Sequence, residues 1–198
     1  MSIEMMPAAD EVADPDVFRI ALGVEYKGSN YHGFQLQPEG TPSIQGHLEE
    51  ALQHINADIP VRISCAGRTD AMVHACGQVI HFDTSIERSM RAWVMGANRY
   101  LPKDISAVWA QVMPADFHSR FSAVARRYRY VIYSDDVRPA HLSQEVTWTH
   151  QVLDIEKCAV RQSVLLAPII LMPCAQRVAR PTRQYVPFII CRLLSLVN

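Results

Sequence analysis

The sequence predicts an α+β fold in which two helices pack on one face of an antiparallel sheet. Three observations carry this prediction. Apolar residues alternate along Phe18 to Tyr26, two serine-led stretches repeat apolar residues at helical spacing, and these segments follow one another as β-α-β-β-α-β.

Phe18, Ile20, Leu22, Val24 and Tyr26 recur at period two, the signature of a strand with one buried face. Turn-forming residues fill 27–42, and Ser43 then caps a helix whose Ile44, Leu48, Leu52 and Ile55 share a face, ending near Asn56. Val61, Ile63 and Cys65 mark a second strand. The segment from Ala66 to Cys76 is a long loop, and Gln78 to Asp83 a third strand. Ser89 opens a second helix with Met90, Trp93, Val94 and Ala97 on its apolar face. Leu101-Pro102 closes that helix, and Ile105 to Met113 supplies the fourth strand. This is the ferredoxin-like order, which covers one sheet face with helices and leaves the other available to a ligand. RNA-recognition motifs share it, but a fold is an analogy and function has to be argued from a site. A further strand is expected over Arg127 to Tyr133, with Tyr128, Tyr130 and Ile132 on one side and Arg127, Arg129 and Val131 on the other.

Composition bounds the organisation. A chain of 198 residues with 49% hydrophobic content can bury a core of its own. The most apolar stretch, Val164 to Met172, is short and interrupted by Pro168, so no membrane span is expected. Residues 1–16 carry Glu4, Asp10, Glu11, Asp14 and Asp16 without a basic start or an apolar run, unlike a secretory signal, and are expected to form an acidic disordered tail. Cysteines 65, 76, 158, 174 and 191 are odd in number and lack a compact spacing, as for free thiols in the cytoplasm. The formal net charge of -1 argues against a nucleic-acid partner only until the acidic tail is set aside, because the residues after Asp16 carry a net +4. Part of that excess lies in Arg120, Arg126, Arg127 and Arg129, interleaved with Phe121, Tyr128 and Tyr130. Such a mixture suits phosphates and stacked bases, although a solvated strand face has the same composition.

From Cys158 to Asn198 the character changes. There is no Asp, Glu or Lys, yet there are five Arg, three Cys and four Pro. Prolines 168, 173, 181 and 187 cut the apolar runs, so an irregular arm is expected in place of a long helix or a central strand. Leu153 to Lys157 is ordinary and the acid-free stretch begins directly after it, the pattern that a shifted reading frame near Lys157 would leave. A family-like continuation in either of the other two frames checks this.

The loop Cys65-Ala66-Gly67-Arg68-Thr69-Asp70-Ala71-Met72-Val73-His74-Ala75 is the most informative stretch, since loops between strands are where a rigid scaffold presents functional side chains. Asp70 offers a carboxylate that can act as nucleophile or base, and Arg68 a group that can engage phosphate or a base. An Asp in a turn commonly bonds only its own backbone. The residues alone do not choose between these readings.

A resemblance does. Gly67-Arg68-Thr69-Asp70-Ala71 with Val73-His74-Ala75 resembles the signature loop of the TruA-type tRNA pseudouridine synthases. Tyr26, Gly28, Tyr31, Gly33 and Gln35, then Ser43-Ile44-Gln45, Gly77-Gln78-Val79, Asn98 with Leu101-Pro102, Asp116 to Ala123, and Arg127-Tyr128-Arg129-Tyr130 are similar to the family in order and spacing, over about Phe18 to Ser143. The resemblance implies an isomerase that converts uridine to pseudouridine in the anticodon stem-loop of tRNA, without cofactor or metal, as a cytoplasmic homodimer. By the same resemblance Asp70 is the catalytic residue, Tyr128 stacks on the target uracil, and Arg68 helps hold the flipped-out state. Arg126, Arg127 and Arg129 are expected phosphate or sheet-face contacts. The domains so implied are the tail 1–16, a catalytic half 17–157, and an end, 158–198, that does not match the family.

Two departures stand out. Met72 occupies a position where the family has glycine, and the basic residue that the family's second half brings to the cleft has no match. An RNA-binding remnant without turnover is therefore the alternative reading. A zinc site from Cys65, His74, Cys76 and His81 has no tight Cys-x-x-Cys pair to support it, and the His-x-Glu and Pro-Cys-x-x-Cys motifs of zinc deaminases are absent.

Overall fold

The computed structural model describes residues 17–38 and 40–154, together with the backbone of the strand at 184–192. The acidic tail 1–16 and most of 158–198 lie outside the described residues. The chain divides into two compact units, Met1–Phe121 and Ser122–Asn198, a division that falls within the 17–157 segment.

In the first unit the order is β1 (Phe18–Tyr26), a 3₁₀ turn (Gly28–Asn30), α1 (Ile44–Ile55), β2 (Ser64–Cys65), β3 (Ala75–Thr84), α2 (Met90–Tyr100) and β4 (Ile105–Met113). The sheet runs β2-β3-β1-β4 with every neighbouring pair antiparallel, the expected ferredoxin-like arrangement. Both helices start where their serines predict. Ser43 Oγ accepts the Gly46 N–H and Ser89 Oγ the Ala92 N–H, each at 3.2 Å, satisfying an otherwise unpaired donor of the first turn. The period-two face of β1 packs against the period-3.6 faces of the helices. Ile20, Leu22 and Val24 are buried with Leu48 and Leu52 of α1, Ile80 and Phe82 of β3, and Trp93 of α2, whose ring meets Phe82 edge to face at 5.2 Å. Asn98 ties α2 to β4 by bonding both the N–H and the C=O of Ala107 at 2.8 Å.

Two expectations for this unit need correction. The second strand is only Ser64–Cys65. The Ile63 N–H donates to Glu49 Oε1 at 3.1 Å, so the backbone ahead of Ser64 bonds a helix side chain, while Val61 and Ile63 remain buried. The sheet face opposite the helices is also not open throughout. Ala21 and His81 share that face by register, and both are buried. Ser119 Oγ lies 2.9 Å from His81 Nδ1 and donates to Ser64 O at 3.0 Å, and Phe117 meets the imidazole edge to face. Arg19, paired with Asp83 at 2.7 Å, donates to the Phe117 carbonyl. The stretch after β4 thus folds back over the sheet.

His81 carries a consequence for stability. Burial, then the neighbouring His118 and Arg19, lowers its pKa to about 4, against a partial counter-effect from Asp83. Between that value and the ordinary imidazole pKa the unfolded chain binds the extra proton. The stabilisation is therefore complete above about pH 6.5 and is lost as pH falls toward 4. The urea midpoint is expected to fall over that interval, and to fall less in His81→Asn, which keeps an acceptor for Ser119. Equal slopes in the two proteins would refute the assignment.

The second unit holds β5 (Arg126–Ser134), β6 (Thr147–Thr149) and β7 (Gln184–Arg192), in the order β6-β5-β7. β5 pairs in parallel with β6 and antiparallel with β7. The expectation of an irregular arm fails for 184–192. Pro187 lies opposite Val131 on β7, which among the described residues is an outer strand of this sheet, where proline is tolerated. Tyr133 is buried and its hydroxyl donates to Asp135 at 2.7 Å, while Tyr130 shares a hydrogen bond with Thr147 at 2.7 Å. Among the described residues, no helix is long and apolar enough to cross a membrane.

Candidate active site

The loop between β2 and β3 carries Arg68 and Asp70, both exposed. Among the described residues no side chain bonds the Asp70 carboxylate, so its placement is set through the backbone. On the N-terminal side, Thr69 is held twice. Its carbonyl accepts the Phe34 N–H at 2.9 Å, and its hydroxyl shares a 2.8 Å hydrogen bond with Tyr26. Burial raises the Tyr26 pKa, which keeps that phenol protonated. Gln78 Nε2 donates to the Gly67 carbonyl, and the Ala66 N–H to Val79 O at 2.8 Å, which anchors the start of the loop on β3.

On the C-terminal side the loop leans on the 3₁₀ turn that follows β1. Met72 N–H donates to Tyr31 O at 3.3 Å, and the Gly28 N–H to His74 Nδ1 at 3.2 Å. Two glycines allow this closeness. A Cβ on Gly28 would stand 2.1 Å from the Val73 carbonyl oxygen, and Gly33, at φ +99°, would bring one to 2.9 Å from the Thr69 carbonyl. The turn itself is fixed by Asp104, which accepts from Tyr31 at 2.5 Å and Asn30 at 3.0 Å. Burial acts to raise the Asp104 pKa, but these two hydrogen bonds and the nearby His47 outweigh it and hold the carboxyl below its ordinary value.

Tyr128, Arg127 and Arg129 are exposed on β5 and Arg126 half-buried, so the structure places them in the second unit, and Arg68 and Asp70 in the first. The zinc arrangement is not formed. Cys65 pairs with Ile80 on the helix-covered side, whereas His81 lies on the opposite face and bonds Ser119, and among the described residues no group of His, Cys, Asp and Glu is placed to hold a metal ion.

The family model described as tRNA pseudouridine synthase matches residues 23–122, a span that contains this loop and its supports. The chain belongs to that family. A tRNA pseudouridine synthase A of Pseudomonas aeruginosa is 61% identical over 160 residues, 81% of this chain and 56% of the relative. One from Vibrio cholerae is 58% identical over 139 residues, 70% of this chain and 52% of the relative, and one from Buchnera aphidicola 51% identical over 142 residues, 72% and 53%. The chain thus spans about half the length of the curated relatives it matches.

Membership in the pseudouridine synthase family gives Met72 its meaning. Its φ is +66°, the left-handed region that glycine enters freely, and its side chain is 63% exposed, so little burial offsets the strain. Met72→Gly relieves about 1–2 kcal/mol of backbone strain and gives back roughly 0.5–1 kcal/mol through the freer unfolded chain. A net stabilisation of up to about 1.5 kcal/mol is expected in urea unfolding. A destabilised variant would show that the methionine side chain packs usefully.

Asp104 is a support that the sequence did not mark, and His74 stood out there only in the loop motif and the zinc set. Asp104 had no local signal, because its partners Asn30 and Tyr31 are more than 70 positions away.

Proposed function

We propose that this chain isomerises uridine to pseudouridine in the anticodon stem-loop of tRNA. The observation that carries the reading is an exposed Asp70, with no side-chain partner among the described residues, on a loop whose backbone is anchored from both sides. The reaction breaks the bond from uracil N1 to ribose C1′, turns the base, and joins C1′ to C5. The C5 proton leaves and N1 gains one, so atoms balance without an oxidant, a metal or a nucleotide. Asp70 releases the base, by attack at the sugar or by removing a proton beside it. A loop held in place before substrate arrives lowers the cost of reaching the reactive geometry.

The target base has to leave its stack at a cost of a few kcal/mol, which stacking worth roughly 1–3 kcal/mol per base offsets. Tyr128 provides that stacking and takes part in removal of the C5 proton, and Arg68 holds the flipped-out state. Arg126, Arg127 and Arg129 contact phosphates. The catalytic region is 17–157, flanked by the acidic tail 1–16 and the unmatched 158–198. The protein acts in the cytoplasm as a homodimer and uses no cofactor.

The second reading, an RNA-binding remnant, is favoured by the strained Met72 beside Asp70. Pseudouridine mapping of tRNA incubated with the 198-residue protein separates the two. Product in the anticodon arm supports the enzyme. Bound but unmodified tRNA supports the remnant.

A further inference from the structure

We propose that His74 is a positioning residue for Asp70, acting through the hydrogen bond that its Nδ1 accepts from the backbone N–H of Gly28. The inference rests on the isomerase reading and names what holds the reactive loop in place.

The argument begins with what Asp70 lacks. Without a side-chain partner among the described residues, its carboxylate is aimed by the backbone at 69–74, and the anchors on the two sides differ in kind. Before Asp70, the buried Tyr26 and the Phe34 N–H grip Thr69 at 2.8 and 2.9 Å. After it, the backbone bonds from Met72 to Tyr31 and from Val73 to Asp70 are both 3.3 Å, and Met72 adds strain. On that side a side chain, His74, reaches across to the turn.

Gly28 is buried, so its N–H needs a partner, and an orphaned buried amide is costly. Accepting this bond requires a lone pair on Nδ1, the atom that faces the Gly28 N–H. Because Gly28 lacks a Cβ, its backbone lies against the Val73 backbone, and the His74 bond closes the same contact one residue further on. The pair acts as a clasp. Loosening it lets 71–74 drift, and a displacement near 1 Å at a reacting group is enough to lower turnover strongly.

His74→Ala removes the acceptor, and His74→Asn restores one, since Asn Oδ1 sits where Nδ1 does. In tRNA pseudouridylation, His74→Ala is expected to lower kcat about 10-fold or more with KM within about twofold of wild type, and His74→Asn to recover most of the loss. Amide hydrogen exchange at Gly28 is expected to quicken in the alanine variant and return toward wild type in the asparagine variant. Unchanged kcat in His74→Ala, or a recovery in exchange without one in kcat, overturns the inference while the isomerase reading stands. An inactive wild-type chain instead overturns the isomerase reading and with it a role in turnover, and the Gly28 exchange rates then decide whether the clasp exists.

Discussion

Asp70→Ala is expected to lower pseudouridine formation by about 10³-fold while tRNA binding stays within about twofold of wild type. On the proposed reading the variant removes the group that exchanges protons or bonds with the reacting nucleoside, an effect that spans roughly 10² to 10⁴ in comparable cases. The separation of turnover from binding follows from the structure. Asp70 is exposed and its carboxylate has no side-chain partner among the described residues, so truncation removes no packing and orphans no buried donor. Single-turnover kinetics with tRNA in excess, beside a filter-binding titration, makes the comparison. Product formed at the wild-type rate would remove Asp70 from the chemistry. Equal loss of turnover and binding would make it a contact residue.

Gly28→Ala is expected to have the next largest effect, and to act without touching substrate. The added methyl would sit 2.1, 2.6 and 2.9 Å from the carbonyl oxygen, carbonyl carbon and nitrogen of Val73. These are backbone atoms, so no side-chain rotation relieves the clash, and either the 3₁₀ turn or the loop has to move. Overpacking of this kind costs about 1–3 kcal/mol, and a shift of the order of 1 Å at Asp70 lowers turnover by about 10²-fold. Urea unfolding reads the first quantity and single-turnover kinetics the second. A variant with unchanged kcat would show that Asp70 keeps its place when the loop moves. Gly28→Ala and His74→Ala strain the same contact from opposite sides, so their effects are not expected to add.

The sequence alone determined β1, the two helices and β4 of the first unit, and the family to which its loop belongs. Phe18 to Tyr26, Ser43 to Asn56 and Ser89 to Leu101 could be read because periodicity and capping are local. Each depends on residues within a few positions, and β1 and β4 have the predicted ends. The family was legible through an ordered set of motifs, and the family match at 23–122 contains the loop that carries Asp70. Tertiary structure decided what surrounds that aspartate. The short β2 results from Glu49 capturing the Ile63 N–H, and the covered sheet face from Ser119 reaching His81, 38 positions away. The supports of the loop, Tyr26 to Thr69, Gly28 to His74 and Tyr31 to Asp104, join residues 43, 46 and 73 positions apart. Partners so distant leave no periodic trace in a single chain, because what selects them is the closeness that the packed sheet imposes, and that closeness exists only once the chain has folded.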